Sequence, residues 1–187
     1  MPAPTTLATQ RLVLRRWTEA DLAPFAALNT DPEVMEFLPA LLTRAESDAF
    51  VERIEATFDH DGHGLWAVEL GDAGRFIGYV GLWPATFEAP FTPAVEVGWR
   101  LARASWGHGY APEAARAALA DGFERLGLAE ILSFTAVANE RSRRVMEKIG
   151  MVRDDTADFD HPSLPDGHPL QRHVLYRIRP ARVVAGA

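Results

Sequence analysis

The sequence contains no cysteine, so disulfide frameworks, thiolate nucleophiles and Cys-ligated zinc are all excluded. Lysine is nearly absent as well: Lys148 is the single one, and every other basic residue is arginine. Basic charge is outnumbered, 19 residues against 26 acidic ones, for a formal net charge of -7. That sign argues against a partner held by phosphate neutralisation, which excludes non-specific nucleic-acid binding and suits a cationic partner. Long apolar runs are missing too. Nothing approaches the roughly 20 residues that span a bilayer, and Met1 to Leu7 lacks the charged and apolar regions of a secretory signal. The expectation is a cytoplasmic protein with no membrane partner.

What remains is a chain of 187 residues, 48% hydrophobic and 24% charged, values that match one ordinary globular domain. That domain is expected over residues 1–180, with 181–187 as a disordered tail. No internal repeat is present.

Arg11 to Trp17 alternates apolar and charged residues and predicts a strand. Thr18 with Asp21 resembles a capping box that opens a helix through Asn29, with Leu22, Phe25 and Leu28 on one face. Asp31-Pro32 predicts a short helix to Leu38. Thr43 and Glu46 form a second box before a helix to about Phe58, which His60 to Gly64 ends. Leu65 to Leu70 and Arg75 to Trp83, joined at Gly71 to Gly74, read as an antiparallel hairpin. The Pro-rich stretch Pro84 to Pro93 reads as a loop. A fourth strand at Val95 to Leu101, a helix at Pro112 to Leu126, a fifth strand at Glu130 to Val137, a helix at Asn139 to Ile149 and a last strand at His173 to Ile178 complete a mixed α/β order.

Chemistry concentrates between Ala94 and Met151. A strand, Val95-Glu-Val-Gly-Trp-Arg-Leu101, runs through the turn Trp106-Gly-His-Gly-Tyr-Ala111 into a helix. Such a turn aims several backbone N–H groups at one point, and the helix dipole adds positive potential there. An anion, most naturally a pyrophosphate, fits that point. Gly107 and Gly109 let backbone approach it closely, although an ordinary turn with two glycines has the same pattern. No Gly-Lys-Ser/Thr follows, which excludes a Walker loop, and the motif is too short for the dinucleotide fingerprint.

With Asn139-Glu-Arg-Ser142-Arg-Arg-Val-Met-Glu-Lys-Ile-Gly-Met151 downstream, these segments closely resemble the GNAT acetyltransferase superfamily, in its RimJ/RimL branch. A weaker resemblance extends from Arg11 to Tyr176. It implies the GNAT fold: a central, mostly antiparallel sheet splayed at strands 4 and 5 and flanked by helices. It implies an N-acetyltransferase that moves acetyl from acetyl-CoA to a primary amine, on a protein N-terminus or a small molecule, without a metal. A homodimer is compatible with it.

On that resemblance the backbone of Trp99, Arg100 and Leu101 pairs with the pantetheine arm. The N–H groups of Trp106, Gly107, His108, Gly109, Tyr110 and Ala111 hold the pyrophosphate, and Asn139 and Ser142 meet the thioester end. Two positions depart from the family pattern. Ala104 stands where Gln or Arg is common, and Met146 stands where many members carry a proton-donating Tyr. Methionine donates no proton; Ser142 or a bound water is then the candidate acid. Met146 also keeps open a non-catalytic module that binds acetyl-CoA.

An attacking ammonium must first lose a proton. Glu96, on the strand beside the expected thioester, is the carboxylate best placed to take it, with a structural strand glutamate as the alternative. An amide near Val97 or Gly98 is the candidate oxyanion donor. Asp160, His161 and His168, with His173, match no zinc spacing; they read as an insertion that shapes the acceptor pocket. Trp83, Phe87 and Phe91, beside prolines, are candidates to line that pocket.

Overall fold

The computed structural model describes residues 6–180, so the expected tail at 181–187 lies outside the described residues. Strands β1 (Thr6–Ala8) and β2 (Leu12–Arg15) come first, then helices α1 (Glu19–Asn29) and α2 (Arg44–Asp61). Strands β3 (Leu65–Leu70), β4 (Arg75–Ala85) and β5 (Ala94–Leu101) form a meander, followed by α3 (Tyr110–Glu124), β6 (Ile131–Ala136) and α4 (Glu140–Lys148). The short strands β7 (Val152–Arg153) and β8 (Phe159–Asp160) precede β9 (Arg172–Ile178). All strands join one sheet in the order β1-β2-β3-β4-β5-β6-β9-β7, with β8 also on β9.

Every pairing is antiparallel except β5 with β6, whose register rests on the single pair Glu96–Leu132. On its other side β5 pairs with β4 along its full length, from Ala94 with Ala85 to Leu101 with Gly78. The sheet therefore splits between β5 and β6 beyond Glu96. This is the splayed GNAT architecture that the sequence implied.

Leu12, Leu14, Val80, Leu82 and Val97 are buried, as are Ala114, Ala115 and Ala118 of α3. Alanines on that helix face let α3 lie close to the sheet. Across the sheet, α1 and α2 pack an aromatic layer: Phe25 meets Trp17 with ring centroids at 4.8 Å and Tyr79 at 5.9 Å, and Phe50 meets Tyr79 at 6.0 Å. Both predicted helix starts hold. The Asp21 carboxylate accepts from the Thr18 N–H at 2.9 Å, and that of Glu46 from the Thr43 N–H at 2.8 Å.

Three expectations need correction. The predicted helix from Asp31 to Leu38 is instead a run of turns. One helical bond forms, from the Met35 N–H to the Asp31 carbonyl at 3.0 Å, but Pro39 biases Leu38 away from helical geometry. The loop at 84–93 starts later than expected, because β4 continues through Pro84 and Ala85. Proline is tolerated there since the β3 register ends at Gly81, leaving Pro84 unpaired on that side. Finally, β1, β7 and β8, of two or three residues each, are too short for a periodic pattern to reveal.

Candidate active site

A cavity of about 540 Å³ opens where β5 and β6 diverge. Its apex is tied by a buried hydrogen bond from the Ser133 hydroxyl to the Val97 carbonyl at 2.9 Å. Beyond that point Gly98, Trp99 and Arg100 of β5 line the cavity, with no β6 partner for their outer edge. An extended chain of amide groups can add to such an edge as a strand would. Leu101 is a partial exception to the expected pairing, since its carbonyl already accepts from the Trp106 indole N–H at 2.8 Å.

At one end of the cavity stands the N-terminus of α3. No side chain caps this helix; Gly109 occupies the cap position at φ 79°. The N–H groups of Gly107 through Ala111 have no partner among the described residues. Pro112, buried in the first turn, has no N–H to satisfy. Free amides and the positive helix end together make an anion cradle. Trp106, Gly107, Gly109, Tyr110 and Ala111 line the cavity here, whereas the exposed His108 side chain does not.

Sequence reasoning missed what holds this cradle. Arg11 donates to the His108 carbonyl at 2.9 Å and lies 4.7 Å over the Tyr110 ring. Glu113, in the first turn of α3, accepts from the Arg11 side chain at 2.7 Å and from the Thr9 hydroxyl at 2.6 Å. Burial alone would raise the Glu113 pKa, but the hydrogen bonds from Thr9 and Arg11 outweigh it and hold the carboxyl below its ordinary value. The spacing of Arg11 and Glu113 carries no local signal, so only the fold reveals the pair.

The other wall comes from α4. Asn139 is the cap of this helix: its Oδ1 accepts from the Ser142 N–H at 3.2 Å and its Nδ2 donates to the Thr135 hydroxyl at 2.9 Å. Asn139 and Ser142 both line the cavity, as expected, but the Asn139 amide is already engaged at both ends. The Ser142 hydroxyl has no hydrogen-bond partner among the described residues. Met146 is fully buried in the core and is not part of the cavity wall, so no group at that position reaches the site.

Glu96 lies at the apex, beside Val97 and Gly98. It makes no hydrogen bond or ion pair with a described residue, and burial pushes its carboxyl up to about 8. Tyr79, on β4, lines the same space. Burial raises its phenol pKa, Arg100 opposes that rise and Glu96 adds to it. The cavity-facing role of Tyr79 is not legible in the sequence, because strand alternation does not distinguish a core face from a cavity face.

The insertion before β9 does reach the cavity, through His161, Leu164, Leu170 and His173. The two histidine rings lie 5.0 Å apart. Burial lowers the pKa of each, and His173 lowers that of His161 further. Among the described residues no group of three potential ligands could hold a metal ion. Trp83, Phe87 and Phe91 do not line the cavity as expected. Trp83 packs on Phe50, while Phe87 and Phe91 form a cluster with Phe134 and Phe159; only Phe134 of these faces the cavity.

No helix among the described residues is long and apolar enough to cross a membrane. Residues 11–152 match the acetyltransferase (GNAT) domain family. The chain is 36% identical to the uncharacterized protein YkkB of Bacillus subtilis over 152 residues, 81% of this chain and 87% of YkkB. It is 33% identical over 173 residues to the FsC-acetyl coenzyme A-N(2)-transacetylase of Aspergillus fumigatus, covering 88% of this chain and 72% of that protein. Among solved structures, a GNAT-family acetyltransferase from Bacillus anthracis superimposes with a TM-score of 0.77 at 27% identity, covering 93% of this chain and 98% of that one. With this agreement in sequence and in fold, the chain belongs to the GNAT acetyltransferase family and is an acetyltransferase.

Proposed function

We propose that the protein transfers acetyl from acetyl-CoA to a primary amine, as a member of the RimJ/RimL-like branch. The observation that carries this reading is the placement of Glu96: an unpaired, half-buried carboxyl at the apex of a split sheet whose open edge leads to a free anion cradle. The residues present fit the donor. Gly107 to Ala111 suit its pyrophosphate, and the β5 edge at Trp99 and Arg100 suits the amide groups of its pantetheine arm, which brings the thioester beside Gly98 and Glu96. A relative named as an acetyl coenzyme A-N(2)-transacetylase supports both the donor and a nitrogen acceptor.

In this reading Glu96 takes a proton from the acceptor ammonium, directly or through water. The neutral nitrogen attacks the thioester carbonyl, a C–N bond forms, the nitrogen gives up its second proton to water, and the C–S bond breaks with its electron pair leaving on sulfur. The thiolate is then protonated. Ser142, whose hydroxyl is free at the α4 wall, or a water beside it, supplies that proton. An N–H near Gly98 stabilises the oxyanion. Incubation with acetyl-CoA and a panel of amines, read as thiol release and acetylated product, tests the reading. Thiol release without an acetylated amine, or none with any amine, refutes it.

One observation favours a second reading, acetyl-CoA binding without turnover: Met146 is buried where a tyrosine acid is common in the family. Tight binding by calorimetry with no transfer would select it.

A further inference from the structure

The cavity holds, on the face of β5 that also carries Glu96, a cation that the protein orients but does not neutralise. The Arg100 side chain donates from Nη1 to the Asn29 Oδ1 at 2.6 Å. Asn29 is fully buried and its Nδ2 donates to the buried Ser47 hydroxyl at 2.8 Å, which fixes its oxygen toward Arg100. The guanidinium also sits 5.3 Å over the Tyr79 ring and 6.0 Å over that of Phe50. Every one of these groups is neutral. The Nε of Arg100 is buried and has no hydrogen-bond partner, and among the described residues no carboxylate forms an ion pair with Arg100.

Three other partly buried arginines are each paired with two carboxylates. Arg15 holds Asp21 and Glu69, Arg16 holds Glu55 and Asp59, and Arg177 holds Glu130 and Asp154. A desolvated guanidinium without a counter-ion is unfavourable until an anion reaches it. Glu96 is not that anion, for no hydrogen bond or ion pair joins it to Arg100, whose Nη1 is given to Asn29. Yet Glu96 and Arg100 share one face of β5, with Gly98 between them, and both line the same cavity.

The geometry points to an acceptor that carries a carboxylate together with its amine, a small amino acid or amino-acid-like molecule, whose carboxylate is bound by the Arg100 side chain while its amine is presented toward Glu96. This rests on the amine acetyltransferase reading above. A carboxylate can take a charge-assisted N–H bond from a guanidinium, and Nη2 of Arg100 makes no hydrogen bond with a described residue, while Nη1 is held by Asn29. The same charge repels polyamines and other acceptors with a second cation. It also overrides, at the site itself, the preference for a cationic partner that the net charge of -7 suggests.

The test compares acetylation rates of the standard amino acids with those of their carboxamides, of short uncharged-peptide N-termini and of diamines. For the best acceptor, kcat/KM of the free acid should exceed that of its amide by tenfold or more. Arg100→Gln should bring that ratio close to one, chiefly through KM, and Arg100→Lys should keep part of it. Amides, peptides or diamines used as well as or better than the free acids would overturn the inference while leaving the transferase reading intact, as would a full preference surviving in Arg100→Gln. Absence of transfer to every amine would instead refute the transferase reading and this inference with it. Should the Arg100 variants not fold, the wild-type ratio of acid to amide decides alone.

Discussion

Arg11 and His108, 97 positions apart, are joined by a hydrogen bond of 2.9 Å from the Arg11 guanidinium to the His108 carbonyl. That bond commits the His108 carbonyl and ties the cradle loop to the residue that precedes β2, while the N–H groups from Gly107 to Ala111 stay without a partner among the described residues. Arg11 is 45% exposed at its side chain, so its removal should affect stability little. Arg11→Ala should weaken acetyl-CoA binding by about five- to tenfold, the worth of one or two hydrogen bonds, with less than a few degrees lost in Tm. Calorimetric titration with CoA measures it; unchanged affinity would show that the loop keeps its shape without Arg11.

Gly109 offers a different probe of the same loop. Its φ of 79° is left-handed, and a Cβ there would meet only the Arg11 Nη2, at 3.5 Å. Space is therefore available, and the cost of a substitution comes from the backbone. Gly109→Ala should fold and lose affinity for CoA moderately. Gly109→Val, β-branched at a left-handed position, should shift the loop and abolish measurable binding. Equal affinity in both variants would detach the cradle from pyrophosphate binding.

Much of this was legible in the sequence, for identifiable reasons. Capping residues at Thr43 and Glu46, the turn at Gly71 to Gly74 between two apolar runs and the Gly-rich turn before α3 are local signals, and each marks the element seen. The site residues on β5 and α4 followed from the family resemblance, and they line one cavity. What stayed hidden is non-local. Arg11 with Glu113, Arg100 with Asn29, and the exclusion of Phe87 and Phe91 from the cavity depend on contacts between distant segments. Asp31-Pro32 misled because a helix start signal does not carry a helix past Pro39.

Ser142 separates two routes for the last proton. Its hydroxyl is free while its N–H is committed to Asn139, so Ser142→Ala removes the hydroxyl and leaves the cap. If Ser142 protonates the thiolate, kcat should fall about tenfold or more with CoA affinity retained. A change of less than twofold would assign the proton to water, because Met146 has no proton to give.

Glu96 gives the sharpest test, since its burial has opposite consequences for activity and for stability. As a base it must be ionised, so with a pKa of about 8 the wild-type rate should climb as pH rises through that value. Glu96→Gln should bind CoA normally, lose roughly 10²-fold in kcat near neutrality and lack this inflection; its deficit should shrink at high pH, where the amine is already neutral. For stability the sign is reversed. The folded carboxyl holds its proton above the ordinary 4.5, so the contribution of the protonated form is fully present below that pH and is lost as pH rises through about 8. Glu96→Gln carries no such loss, and its Tm relative to wild type should therefore increase between pH 4.5 and 8. Full activity of Glu96→Gln at every pH, with a constant Tm difference, would make Glu96 a structural residue and pass deprotonation to another group, with the neutral His161 and His173 at the cavity wall next to be replaced.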